Sequence, residues 1–328
     1  MVVFNTAARR GPDETWIVPI HGRIWKPATG RTARAALRIA LRTGFGVAPD
    51  AFNRDVFDER CAFLLGDNRA DRQVVVSVCG VSRAMPPSGR DGQFRDSIVL
   101  PASLVAAHAQ YGRLTVAASL EGAETPVETG WSILVPPHGV SVISDIDDTV
   151  KVSHVGDRRR MMALTFLEAF GAIDGIAARY RDWAAQGAAF HFISSSPWPL
   201  YEPITAFLAA AGFPAATCAL KNVGLKDRSI RHFLSKSTKT KPPAIEALLD
   251  AFPERRFVLV GDSAENDAEI YVDTARRHPG RISHILIRQV SARRRSSTRL
   301  PGAFAGPGLE DTSCQIFSEA SELPERIV

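Results

Sequence analysis

From residue 139 onward the chain alternates short apolar runs with segments of helical length, and this rhythm constrains the fold more than any other feature. SVISD (141–145), AAFHFIS (188–194), TCAL (217–220), RFVLVGD (256–262) and RISHILIR (281–288) read as strands. Between them lie GIAARYRDWAAQG (175–187), YEPITAFLAAAG (201–212), PPAIEALLDAF (242–252) and AEIYVDTARRHPG (268–280), which read as helices. In PPAIEALLDAF the apolar residues Ile245, Leu248, Leu249 and Phe252 fall at helical spacing. Strand alternating with helix predicts an α/β fold, a parallel sheet with helices on both faces.

The punctuation PPHG (136–139) marks a boundary. Before it, TWIVPIHGRIW, RQVVVSVCGV, LTVAASLEG and GWSILVPP are rich in β-branched and aromatic residues. Their spacing predicts a small β-rich, sandwich-like domain over 1–138. One helix interrupts it, RTARAALRIALRTGFG, with Arg31, Arg34, Arg38 and Arg42 on one face. Such a helix can lie on an anionic membrane or pack on the sandwich with its arginines in water. The expected division is therefore 1–138, an α/β domain over 139–290, and a basic, then Gly/Pro-rich tail over 291–328.

Composition narrows the class. With 328 residues, 45% hydrophobic and 23% charged, the chain is long enough for two cores and typical of a soluble protein. Its apolar runs fall short of a membrane span, and MVVFNTAARR lacks the apolar region of a secretory signal. Cys61, Cys79, Cys218 and Cys314 form no C-x-x-C pair, which points away from zinc and towards a reducing, cytoplasmic setting. A net charge of +5 favours anionic partners, and arginines cluster at 158–160 and 293–295. Those clusters lack interleaved aromatic residues, which disfavours single-stranded nucleic acid.

The chemistry-bearing residues sit where an open α/β sheet binds its ligands, beyond the carboxyl ends of the strands. Asp145, Asp147 and Asp148 follow the first strand, Ser194, Ser195 and Ser196 the second, and Asp262, Ser263 and Asp267 the strand FVLVG. Lys239 and Lys241 stand at the start of a Pro-initiated helix. Acids converging on one crevice repel unless a divalent cation joins them, and Mg²⁺ suits oxygen ligands. An EF-hand loop is excluded, because its sixth position is Val150 and its twelfth Gly156. Such a cation, a lysine and hydroxyl donors would form a phosphate cradle. A carboxylate near the phosphorus could attack it, and a second could shuttle protons.

The set D145-I-D147-D-T149, Ser194 after a strand, Lys241, and G-D262-S-A-E-N-D267 resembles the four motifs of the haloacid dehalogenase (HAD) superfamily. SDIDDTVKVSHV, FHFISSSPWPLYEPITAFL, GFP and FVLVGDSAENDAEIY further resemble the catalytic-domain family of the actin-patch-associated phosphatidate phosphatase. The resemblance implies a HAD-like Rossmannoid sheet and Asp145 as nucleophile, with Asp147 as general acid and base. Ser194, Ser195 and Lys241 would bind phosphate, with Lys239 as the alternative lysine. Thr149 and Asp148 would support the loop. Mg²⁺ would be held by Asp145, Asp262, Asp267 and the Asp147 backbone carbonyl. The activity implied is Mg²⁺-dependent hydrolysis of phosphatidate or a related lipid phosphate through an aspartyl phosphate, at a membrane surface.

The segments between motifs are short, which predicts a minimal cap or none and so a bulky substrate. Alternatives are another bulky substrate, such as a nucleic-acid end or phosphoprotein, or a non-catalytic membrane adaptor. Six further residues stay open on sequence. Lys151 and His154 touch substrate or lie in a solvated loop, the arginines of 158–160 meet a headgroup or face water, and Trp198 walls the site or fills the core.

Overall fold

A computed structural model describes residues 1–27, 31–45, 53–122, 128–221, 240–290, 302, 304 and 307–327. Lys239 and the arginines at 293–295 lie outside the described residues.

The N-terminal region is built from strands whose side chains alternate between core and surface. β1 (Val2–Val3), β2 (Thr6–Arg10) and β3 (Thr15–Arg23) come first, and β3 buries Trp16, Val18 and Ile20 on one face. β4 (Trp25–Lys26) pairs with β5 (Asp67–Asn68). Between them run helices α1 (Arg31–Phe45) and α2 (Arg54–Leu64). β6 (Val74–Val78), β7 (Val81–Ala84), β8 (Gln93–Pro101), helix α3 (Ala102–His108), β9 (Arg113–Leu120) and β10 (Glu128–Leu134) complete it. The sheet order is β1-β3-β2-β10-β9-β6-β7, with β8 on β3. β2 changes partner midway: Thr6–Ala8 pair with β10, and Arg9 and Arg10 with β3. The sheet thereby folds over one core of alternating residues, including Val74, Val76, Phe94, Ile98, Leu114 and Val116.

The single helix expected here is joined by α2 and α3. α2 lies behind a stretch that looks like a loop, but Asn53 caps it by accepting from the backbone N–H groups of Asp55 and Val56. Phe57 and Cys61 of α2 then bury against Leu37 and Leu41 of α1. The apolar side of the basic helix is thus spent on protein, although Ile39 remains 60% exposed.

The second region is an all-parallel sheet. β11 (Val140–Asp145), β12 (Ala189–Pro197), β13 (Ala216–Lys221), β14 (Arg256–Asp262), β15 (Ile282–Arg288) and β16 (Ser313–Phe317) take the order β13-β12-β11-β14-β15-β16. β11 is buried along its whole length, as a central parallel strand must be. Helices α5 (Ile176–Ala185) and α6 (Tyr201–Ala210) cover one face, α7 (Lys241–Ala251) and α8 (Asp267–Arg277) the other. Tyr180 and Trp183 anchor α5 to the first face; each such side chain contributes on the order of 2–3 kcal/mol. α4 (Arg158–Phe166) follows the acidic loop, capped by Asp157. It buries Met162, Ala163 and Phe166 against α1 and α2.

The tail ends in structure, at the short segment CQIFSEA that the sequence sets apart from it. SCQIF pairs in parallel with β15, from His284↔Ser313 to Arg288↔Phe317. Leu323 and Ile327 then return to the core over α5, where the Trp183 indole donates to the Pro324 carbonyl at 2.8 Å. An edge strand needs only one buried face, so its polar residues hid it.

The boundary PPHG is clamped rather than loose. The buried Arg255 guanidinium donates to the carbonyls of Pro136, His138 and Val140 and to Ser141 Oγ. Gly139 adopts φ +111°, and a Cβ there would lie 3.2 Å from that guanidinium. Among the described residues, no helix is long and apolar enough to cross a membrane.

Candidate active site

The strand order reverses direction between β11 and β14, and this switch point opens a crevice at their carboxyl ends. β11 delivers Asp145 there, and β14 delivers Asp262. Asp267 and Lys241 are the first residues of α8 and α7. One carboxylate oxygen from each of Asp145, Asp262 and Asp267 lies within 4.8 Å of the others, all three buried. The chain approaches closely at Gly261, where a Cβ would stand 2.4 Å from Asp267 Oδ2.

Lys241 is the cation among these acids. Its Nζ is 2.8 Å from Asp145 Oδ1, 2.8 Å from Glu265 Oε2 and 2.5 Å from Asp267 Oδ1. Burial opposes its charge, but Asp145, Asp267 and Glu265 more than offset this and hold the ammonium well above its ordinary pKa. The acids are under-compensated. Burial first, and then neighbouring carboxylates, raise Asp145, Asp262 and Glu265 above the usual carboxylate range, although Lys241 pulls each down. Asp262 Oδ1 accepts the backbone N–H groups of Ala264 and Glu265, while its buried Oδ2 has no hydrogen-bond partner. A buried, unpartnered carboxylate oxygen beside two further acids fits a hard divalent cation.

Asp147 faces the opposite side of the loop. Its Oδ1 accepts from Lys151 Nζ at 2.7 Å and Ser153 Oγ at 2.7 Å, and its Oδ2 from Ser194 Oγ at 2.9 Å and Ser196 Oγ at 3.0 Å. Burial raises its pKa, but Lys151 and the hydroxyls outweigh this and hold the carboxyl well below its ordinary value. Asp148, in the left-handed region at φ +56°, turns away. It accepts the backbone N–H groups of Ser153, His154 and Val155, and so ties the loop to itself. Buried Thr149 donates to Asp145 Oδ2 at 3.4 Å.

The crevice therefore gathers Asp145, Lys241, Asp262 and Asp267 in one cluster and Asp147 with Ser194 in another. Ser195 Oγ is buried with no hydrogen-bond partner. Lys151 is buried on Asp147 and is no solvated-loop residue, whereas His154 is exposed. Trp198 is buried in the core, and Arg158 to Arg160 are exposed, Arg160 pairing with Glu168. Glu265 and Ser153 join the site without having been singled out by sequence, and Ser196, grouped there with Ser194 and Ser195, donates to Asp147. Between Asp148 and α5, α4 is the one α-helix, while the second insertion point includes 222–239, outside the described residues. A cleft of about 1190 Å³ runs from Thr240, beside Lys241, past Lys221 and Trp198 to His21 and Arg95.

Residues 140–289 match the family model described as "Phosphatidate phosphatase APP1, catalytic domain". This region is similar to that family over the matched residues. Every site residue named above falls inside the match, whereas β1 to β10 and β16 fall outside it. The chain is 33% identical over 180 residues to "Phosphatidate phosphatase APP1" of Saccharomyces cerevisiae, covering 53% of this chain and 30% of that protein. It is 30% identical over 158 residues to an uncharacterized protein of Schizosaccharomyces pombe, covering 47% of this chain and 26% of the other. The chain thus matches less than a third of the length of either relative.

Proposed function

We propose that the chain is a Mg²⁺-dependent phosphomonoester hydrolase with a HAD-like fold, acting on phosphatidate or a related lipid phosphate through an aspartyl phosphate on Asp145. The observation that carries this is the buried cluster of Asp145, Asp262 and Asp267 around Lys241 at the switch point, within the catalytic-domain match. The Saccharomyces cerevisiae relative bears the name of a phosphatidate phosphatase, which supports the substrate class.

An Asp145 oxygen attacks phosphorus as the bond to the substrate's alcohol oxygen breaks. The leaving oxygen takes its electron pair and a proton from the Asp147 carboxyl. Water then attacks the aspartyl phosphate and gives a proton to Asp147, so that inorganic phosphate leaves and Asp145 is regenerated. Lys241 and the hydroxyls of Ser194 and Ser195 hold the phosphoryl oxygens. Asp145, Asp262, Asp267 and the Asp147 backbone carbonyl would hold Mg²⁺, which when bound offsets both the acids' repulsion and the phosphate charge.

Lys151 and the serine hydroxyls outweigh burial and favour the ionised form of Asp147, the state that accepts a proton. An arriving phosphate dianion raises its pKa by like-charge repulsion and competes for the Ser194 hydroxyl, which favours the protonated donor form. The cleft beside Thr240 carries Arg95, Arg158 and Lys221 among apolar walls such as Ala219, Leu220 and Leu248, but none of Asp145, Asp147, Ser194, Lys241, Asp262 and Asp267 lines it, so it adjoins the site rather than forming it. Because α1 spends Leu37 and Leu41 on protein, attachment to a membrane would rest on charge rather than insertion.

The test is a phosphate-release screen of lipid, nucleotide and sugar phosphates with and without Mg²⁺. Release from phosphatidate is expected only with the cation and not from Asp145→Asn. Turnover retained by that variant would refute the nucleophile assignment.

A further inference from the structure

Asp147 is held from two sides, and each side is backed by a residue of the N-terminal region. On one side, Ser194 and Ser196 donate to Oδ2 from the end of β12. The chain then passes through Pro197 into a short 3-10 turn, Trp198–Leu200, and on to Tyr201. Phe4 stacks on Trp198 with ring centroids 4.2 Å apart and meets Tyr201 edge-on at 4.5 Å. The backbone N–H of Asn5 donates to the Tyr201 hydroxyl at 2.7 Å, and His21 closes edge-on against Trp198 at 4.8 Å.

On the other side, Lys151 and Ser153 donate to Oδ1. Lys151 Nζ lies 4.7 Å from the centroid of the Phe170 ring. Arg60 of α2 sits over the same ring, its Cζ at 3.8 Å. Arg60 is only 5% exposed, and its Nε and Nη1 have no hydrogen-bond partner among the described residues. Burying a cation without acceptors is costly, and an apolar side chain of similar length would fold at least as stably. Packing alone does not account for an arginine here.

We propose that the N-terminal region is a brace for Asp147, with Phe4 and Arg60 as positioning residues. Phe4 fixes the serine arm through Trp198, and Arg60 fixes the lysine arm through Phe170. The two arms share one carboxylate, so displacing either turns it away from the leaving oxygen. The brace rests on the proposed role of Asp147 as proton donor. It gives the β-rich region a part in catalysis, distinct from the binding of any partner.

The experiment uses the full chain with two esters, p-nitrophenyl phosphate and a short-chain phosphatidate. A nitrophenolate leaves without a proton, whereas an alkoxide needs one, so a misplaced Asp147 selectively slows formation of the aspartyl phosphate from the alkyl ester; hydrolysis of that intermediate is common to both, so release of the leaving group is followed in a single turnover. Phe4→Ala and Arg60→Met are expected to lower the single-turnover rate of alcohol release from phosphatidate about tenfold or more, with substrate affinity little changed. On p-nitrophenyl phosphate the change is expected to stay within about twofold. Arg60→Met should melt no lower than the parent, and Phe4→Leu should recover part of the loss. An equal fall on both esters, or no fall on either, overturns the brace. Asp147→Asn sets the reference: if it lacks the ester contrast, the proton role fails and the brace with it. A parent that releases phosphate from neither ester overturns the phosphatase assignment itself.

Discussion

Lys241→Met is the most direct probe of the charge arrangement. Methionine keeps the length and apolar stem of the side chain and removes the ammonium that meets Asp145, Glu265 and Asp267 within 2.8 Å. Breaking a buried pair from one side typically costs about 3–5 kcal/mol. At about 2–4 °C per kcal/mol, that is a fall in Tm of about 6–20 °C. The loss must depend on pH. Burial and mutual repulsion already raise Asp145, Asp262 and Glu265, and removing Lys241 raises them further. A carboxyl group raised in the folded state contributes stability that is fully present below its unfolded pKa and is lost as pH rises through the folded value. The variant should therefore lose less near pH 5 than near pH 8. Thermal melts at both pH values, without divalent cation, measure this directly. A loss equal at the two pH values, or no loss at pH 8, would refute the reasoning.

Three further outcomes follow from the same geometry. Mg²⁺ should raise the Tm of the parent more at pH 8 than at pH 5, because protons compete for the same carboxylates, and the effect should vanish in Asp262→Asn. Gly261→Ala places a methyl 2.4 Å from Asp267 Oδ2, so it should cost about 1–3 kcal/mol in a denaturant titration and weaken the Mg²⁺ response. Asp148→Ala strands three backbone N–H groups of the acidic loop and should cost about 1–3 kcal/mol while lowering phosphate release.

The parallel sheet and the positions of Asp145, Asp262, Asp267 and Lys241 were legible because strand ends and helix starts are local features, and their rhythm dictates one face for ligands. What escaped the sequence was set by packing over distance. Lys151 sits in a polar stretch that reads as exposed, yet the turn at Asp148 folds it back under Phe170 and onto Asp147. Glu265 lies in an acid-rich turn where nothing distinguishes it from its neighbours until Lys241 arrives from α7. α2 was hidden by Gly, Pro and Asp punctuation before Asn53, and β16 by a Gly/Pro-rich approach. The short segments between motifs predicted an uncovered site. They could not reveal that α1 and α2, far upstream, pack on α4 beside the acidic loop.

The edge strand β16 has a consequence for how the chain is made. Synthesis proceeds from the N-terminus, so β11 to β15 emerge from the ribosome before residues 313–327. Until those residues follow, the outer edge of β15 is unpaired and the groove over Trp183 that receives Leu323 and Ile327 is bare. Phe4, translated well before β11, packs into the same apolar cluster. The α/β half therefore cannot close as its strands appear one by one. It must wait with an open, aggregation-prone edge until residues 313–327 are made, a circumstance in which chaperones that shield strand edges would raise its yield.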